Sequence, residues 1–147
     1  MAGQRSCAWC WSRVSLIFGA RSKPANIRRD WDLMTMTSDM PVFQSELAGG
    51  NPWLSDKAQT QGRKGSAIWE FKAAAEAKVI PPVLILHGRE DVRVPLPNAM
   101  AFHRACMHFG IRCELAVYPR EPHGVGERLH QIDMIKRIRR FCDTNLC

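Results

Sequence analysis

The feature that most constrains this chain is the run Pro81-Pro82-Val83-Leu84-Ile85-Leu86. Four consecutive apolar residues behind a proline pair do not alternate between core and solvent. They read as a strand buried on both faces, as the strands of parallel sheets are. The prolines also close whatever helix precedes them, because the residue before a proline is pushed out of helical angles. After the strand, His87-Gly88 opens a loop. Pro97 sits in the first turn of a helix expected to run to about Phe109, with a stripe of Met100, Phe102, Cys106 and Met107 and a stop at Gly110. Cys113–Tyr118 reads as a second strand, Pro119–Gly126 as a second loop, and Leu129 to about Cys142 as an amphipathic helix. Its apolar face is expected to carry Leu129, Ile132, Ile135, Ile138 and Phe141. Strand, loop, helix, twice over, implies βα units on a mostly parallel sheet, so the class is α/β.

Upstream the signals are weaker. Asp39 is expected to cap a helix from Pro41 to Leu47 that stops at Gly49-Gly50, followed by a loop from Asn51-Pro52-Trp53 to Gly65. The Ala-rich stretch Ser66–Lys78 reads as a helix with Ser66 at its N-cap.

Charge separates the ends of the chain. Residues 1–29 hold six of the 21 basic residues and no acid, leaving 15 basic against 14 acidic side chains in the remainder. Six of the seven net charges therefore belong to a basic leader, expected to be disordered and to lie outside a domain spanning 30–147. Its composition suits an organellar transit peptide or non-homologous sequence, with a cytoplasmic location expected otherwise. Nucleic acid is not expected as a partner. The one basic cluster beyond the leader, Lys136, Arg137, Arg139 and Arg140, alternates with apolar residues and reads as a solvated helix face. Membrane insertion is not expected either, because the apolar stretch Val14–Ala20 falls far short of the ~20 residues a bilayer requires. Cys7-Ala-Trp-Cys10 is a C-x-x-C pair with no second pair at metal-binding spacing. No metal or cofactor is expected.

Chemistry concentrates in the two loops. The first reads His87-Gly88-Arg89-Glu90-Asp91-Val92-Arg93-Val94-Pro95, the second Tyr118-Pro119-Arg120-Glu121-Pro122-His123-Gly124. Ligand crevices of open α/β sheets lie outside the carboxyl ends of the strands, where both loops emerge. An acid after one strand and a histidine after the next, in that order, match the last two members of a Ser…Asp…His relay. Such a relay needs both. An imidazole takes the serine proton, and a carboxylate holds its tautomer and stabilises the imidazolium. Glu90 competes with Asp91 for the acid's place. His87 is expected to support its loop by hydrogen bonding, and His103, His108 and His130 to be structural and without partners.

Taken together, Pro82–Gly88, Asp91, Arg93-Val94-Pro95, Tyr118-Pro119 and His123-Gly124 resemble the end of the catalytic domain of the prolyl oligopeptidase family. That family of serine peptidases includes dipeptidyl and acylaminoacyl peptidases. Upstream, Phe43–Trp53 and Ser66-Ala67-Ile68 are similar to the region between the family's nucleophile and its acid. The resemblance covers about residues 30–147. It implies the C-terminal part of an α/β-hydrolase fold and hydrolysis of peptide or acyl-peptide bonds through an acyl-enzyme. In its register Asp91 is the triad acid, His123 the general base, and Arg93 stands where members bind the substrate's backbone carbonyl.

One departure matters. No serine among these 147 residues stands in a G-x-S-x-G elbow. The sequence therefore leads one to expect a truncated catalytic domain, inactive alone. The alternative is a non-catalytic hydrolase-like interaction module, self-associating through an exposed sheet edge.

Overall fold

Val83–Gly88 forms a six-residue strand in which every residue is buried, because it is the middle strand of a three-stranded sheet. The computed structural model describes residues 30–64 and 66–145, together with the backbone of residues 15–18. In chain order the elements are β1 (Ser15–Phe18), α1 (Trp31–Thr37), α2 (Pro41–Ala48), α3 (Asp56–Lys64), α4 (Ala67–Glu76), β2 (Val83–Gly88), α5 (Leu96–His108), β3 (Cys113–Tyr118) and α6 (Arg128–Asn145). Both strand pairings are parallel. Ser15 stands opposite Val83, and Val83–Gly88 runs in step with Cys113–Tyr118.

Alternation along β2 and β3 divides the core in two. Leu84 and Leu86 join Ala116, Tyr118 and Phe141 on the side covered by α6, with Val125, Met134 and Ile138 packed against them. Val83 and Ile85 point the other way, into a cluster with Phe71 of α4 and Ala99, Phe102 and Cys106 of α5. Phe71 and Phe102 meet edge to face with ring centroids 5.1 Å apart, a favoured aromatic geometry. Leu84 is fully buried, and burial of a side chain of that size contributes about 1.5–3 kcal/mol.

Several expectations need correction. β1 falls inside the segment assigned to a disordered leader, so that assignment does not hold for residues 15–18, whose backbone pairs with β2. Cys7 and Cys10 lie outside the described residues. α1 and α3 were not anticipated. α3 (DKAQTQGRK) buries only Ala58 and Gly62, so it carries almost no apolar stripe for a pattern reading to find. Asp39 does not cap α2, whose N-cap position belongs to Met40 without a side-chain bond. Ser66 stands at the N-cap of α4, yet its hydroxyl accepts from Trp31 N (2.8 Å) and donates to Gly62 O (2.7 Å), tying α1 to α3.

The helix faces were also misread. Leu129 and Ile135 on α6 and Met100 and Met107 on α5 are exposed. A step of three falls short of the 3.6-residue turn, so a five-membered stripe drifts around the helix and only part of it can face a flat sheet. Arg137 and Arg140 are not simply solvated. Arg137 bonds Asp133 (2.6 Å) and Glu114 of β3 (2.6 Å), and Arg140 bonds Glu114 (2.8 Å).

Candidate active site

The two chemistry-bearing loops leave adjacent parallel strands in the same direction and meet beyond the sheet. Arg89 N donates to Tyr118 O (2.8 Å) and Glu90 N to Glu121 O (3.0 Å), so backbone bonds stitch one loop to the other. Gly88 lies beneath this crossing. A Cβ there would stand 2.2 Å from Pro122 O and 2.3 Å from Glu121 O, both backbone atoms with little room to yield. The glycine after His87 is thus what lets the second loop approach the first.

Asp91 is the floor of the site, its side chain wholly buried. Its Oδ1 accepts from Val94 N at 2.7 Å, closing the turn 91–94 upon itself. His87 supports the same turn. Its Nε2 lies 2.9 Å from Val94 O, and since a carbonyl only accepts, that nitrogen carries a proton. The same atom is 3.7 Å from Asp91 Oδ2. His123 Nδ1 stands 3.1 Å from Asp91 Oδ1 and 3.0 Å from Oδ2. A carboxylate likewise only accepts, so Nδ1 donates and the neutral ring keeps its lone pair on Nε2. The His123 side chain is 36% exposed against 0% for Asp91. Of the two acids weighed from sequence, Asp91 is the one bonded to His123, while Glu90 is exposed and engages the second loop through its backbone.

Arg93 points elsewhere. Its Nε donates to Asp39 Oδ1 at 2.9 Å, and Asp39 N donates to Val92 O at 3.0 Å, so this side of the acid's loop is fastened to the segment joining α1 and α2. Among the described residues no serine hydroxyl is hydrogen-bonded to His123. Ser45 donates to Val42 O, Ser55 Oγ accepts from Ala58 N, Ser38 Oγ from Met40 N, and Ser66 ties helices together.

Glu121 was missed from sequence. Its carboxylate is buried and accepts from Gly126 N (2.7 Å), Glu127 N (2.8 Å) and His130 Nδ1 (2.7 Å). These donors, the Gly126 amide foremost, hold its carboxyl below the usual glutamate range. His130 therefore has a partner, contrary to expectation. The signal available was an acid two residues before the histidine of a short loop, a position a solvent-facing reading passes over. Tyr118, at the end of β3, donates its hydroxyl to Asp133 Oδ2 (3.0 Å). Burial first, and that bond second, push its phenol up to about 12. Glu121, Glu127 and His130 also group closely enough to hold a cation. Glu121 already accepts from three donors, and Glu127 is engaged by Arg120 in two bonds of 2.8 Å.

Known proteins place this geometry in context. The sequence model of the prolyl oligopeptidase family matches residues 28–147. Acylamino-acid-releasing enzyme 1 of Oryza sativa subsp. japonica is 35% identical over 51 residues, which make up 35% of this chain and 7% of that protein. The structure of the Pyrococcus horikoshii acylaminoacyl peptidase superposes with a TM-score of 0.72 at 23% identity, covering 91% of this chain and 20% of that one. Porphyromonas gingivalis dipeptidyl peptidase 4 superposes with a TM-score of 0.53 at 22% identity over 62% of this chain and 12% of that one. The chain thus spans a fifth or less of each of these relatives, and its fold is a partial α/β-hydrolase fold.

Proposed function

The chain belongs to the prolyl oligopeptidase family of serine peptidases, and from that premise we propose that Asp91 and His123 are the acid and general base of a peptide- or acyl-peptide-hydrolysing relay. The observation that carries this reading is the approach of His123 Nδ1 to both oxygens of a fully buried Asp91, at 3.0 and 3.1 Å. The carboxylate fixes the tautomer in which Nε2 is free to take a proton from a nucleophile, and it stabilises the imidazolium that follows. The nucleophile's proton passes to Nε2, the acyl group transfers to the nucleophile, and the proton is returned to the leaving amine. Peptides are the substrate class the family suggests. Arg93 is a candidate for the substrate's backbone carbonyl, provided substrate draws it from Asp39.

The nucleophile is not among the serines whose contacts are described. Residues 1–147 contain no G-x-S-x-G elbow, and the described serine hydroxyls serve caps and helix contacts. We therefore propose that residues 30–147 act as the acid-and-base portion of a catalytic domain and turn over no substrate unaided. A fluorophosphonate probe tests this. The chain is expected to remain unlabelled. A labelled serine whose modification disappears in His123→Ala would place the nucleophile within these residues and overturn this part of the proposal.

A second reading, a non-catalytic interaction module, is favoured by one observation. Val42, Phe43, Leu47, Trp53, Leu54 and Trp69 are all at least half exposed on the α2–α4 side, and exposed apolar side chains gathered in one region suit a contact surface. Light scattering distinguishes the readings. A discrete oligomer unaffected by Asp91→Asn and His123→Ala supports the module, and a monomer disposes of it.

A further inference from the structure

Among the described residues, His123 is hydrogen-bonded through its side chain only to Asp91. His123 is partly exposed and sits in a loop that must cross over a neighbouring loop. Something else has to hold that loop while leaving Nε2 accessible. The only buried acid in the loop is Glu121, two residues before the histidine. Its carboxylate reaches forward past His123 to the amides of Gly126 and Glu127 and to His130 in the first turn of α6. The segment between, which contains His123, is thereby closed into a ring by three bonds of 2.7–2.8 Å. Its backbone carbonyl, meanwhile, accepts from Glu90 N, the neighbour of Asp91. One residue therefore clamps the base's loop upon itself and pins it to the acid's loop. His130, the third donor, is held in turn against Tyr118, with ring centroids 5.3 Å apart, and so refers the clamp back to the end of β3 and the core.

We infer that Glu121 is the positioning residue that keeps the His123 imidazole with Nδ1 on Asp91, an inference that rests on the proposed acid–base pair. Glu121 does not touch the reacting atoms. It acts through the loop, and it needs an ionised carboxylate, because three donors converge on two oxygens. Glutamine in its place presents an NH₂ to at least one of them and loses that bond.

The tautomer of His123 reports the position directly. In the full chain with ¹⁵N-labelled histidine, ring nitrogen shifts at a pH where the imidazole is neutral are expected to show the Nδ1–H form. Asp91→Asn should convert His123 to the Nε2–H form, because an amide NH₂ then faces Nδ1. Glu121→Gln should give a mixture containing the Nε2–H form, and exchange of the Gly126 and Glu127 amides should quicken about tenfold or more. Glu90→Gln removes a charge of the same sign from the adjoining loop without touching the clamp, and it should leave the tautomer as it is. Should Glu121→Gln not fold, as judged by far-ultraviolet circular dichroism, His130→Phe keeps the ring against Tyr118 and removes one donor. It is expected to shift the tautomer in the same direction by less. Retention of the pure Nδ1–H form in Glu121→Gln or, where that variant does not fold, in His130→Phe, while Asp91→Asn loses it, overturns the role of Glu121 alone. Retention in Asp91→Asn overturns the acid–base pair and this inference with it.

Discussion

The two loops that meet beyond the sheet are secured in opposite ways. The loop after β2 is held from within, where Asp91 is wholly buried, closes its own turn through Val94 N, and has His87 beneath it. The loop after β3 is held from its flanks by Glu121, His130 and the crossing over Gly88, and its His123 side chain reaches partly into solvent. An acid that only orients another group does best when immobile and dry, because burial strengthens its interaction with the imidazole. A base that must meet a nucleophile needs one nitrogen open. The difference in anchoring is what the proposed division of labour between Asp91 and His123 requires.

Breaking the crossing itself should have the largest effect. Gly88→Ala puts a methyl group against two backbone carbonyls, and the expected loss is ~3 kcal/mol, at the upper end for an overpacked site. The urea midpoint measures it, and a loss below ~1 kcal/mol would show that the loops can separate at little cost. Next come the two partners, which the comparison predicts to be unequal. Asp91→Asn replaces a charge-assisted bond to His123 by a neutral one, with the ring turned to its other tautomer, and should cost ~2 kcal/mol. His123→Ala opens the carboxylate to water and should cost ~1 kcal/mol or less. Equal losses would contradict the contrast between a dry anchor and a wet base.

Acid should release the second loop through Glu121. Its folded-state carboxyl is held below the ordinary value of about 4.3. The unfolded chain therefore takes up this proton at a higher pH than the folded one. The stability Glu121 contributes is complete above that value and is lost as pH falls through the folded one. Amide exchange at Gly126 and Glu127, corrected for its intrinsic pH dependence, should quicken in that window. In Glu121→Gln the acid dependence should be absent. The smallest effect belongs to Arg93→Ala, which removes a half-exposed ion pair with Asp39 and should change stability by 0–1 kcal/mol. A larger loss would mean that the α1–α2 connection helps to hold the acid's loop.

The contrast extends to what could be read in the residues. The strand before Asp91 announced itself as an apolar run, because a strand buried on two faces has few sequence disguises; Cys113–Tyr118, only partly buried, also read as a strand, and His123 lies in the loop that follows it. Glu121 gave no such sign. A glutamate in a short polar loop looks solvated until the folded chain turns Gly126, Glu127 and His130 toward it. α3 was hidden for a related reason. With Ala58 and Gly62 as its only buried positions, its packing depends on Trp31 and Asp32 lying against Gly62 and on Gly49 and Gly50 lying against Gln61 and Ala58, and not on any periodicity.

Strands β2 and β3, the helices α5 and α6 that follow them and their parallel arrangement were legible in local pattern, which also put Asp91 and His123 forward as candidates, since hydrophobic period and turn chemistry are properties of neighbouring residues. Which acid bonds the imidazole, where Arg93 points, what Glu121 holds and which part of α6 faces the core were decided only by tertiary structure. Those outcomes depend on distances between groups remote in the chain, such as the 3.0 Å between positions 32 apart at the site, and no local propensity encodes them.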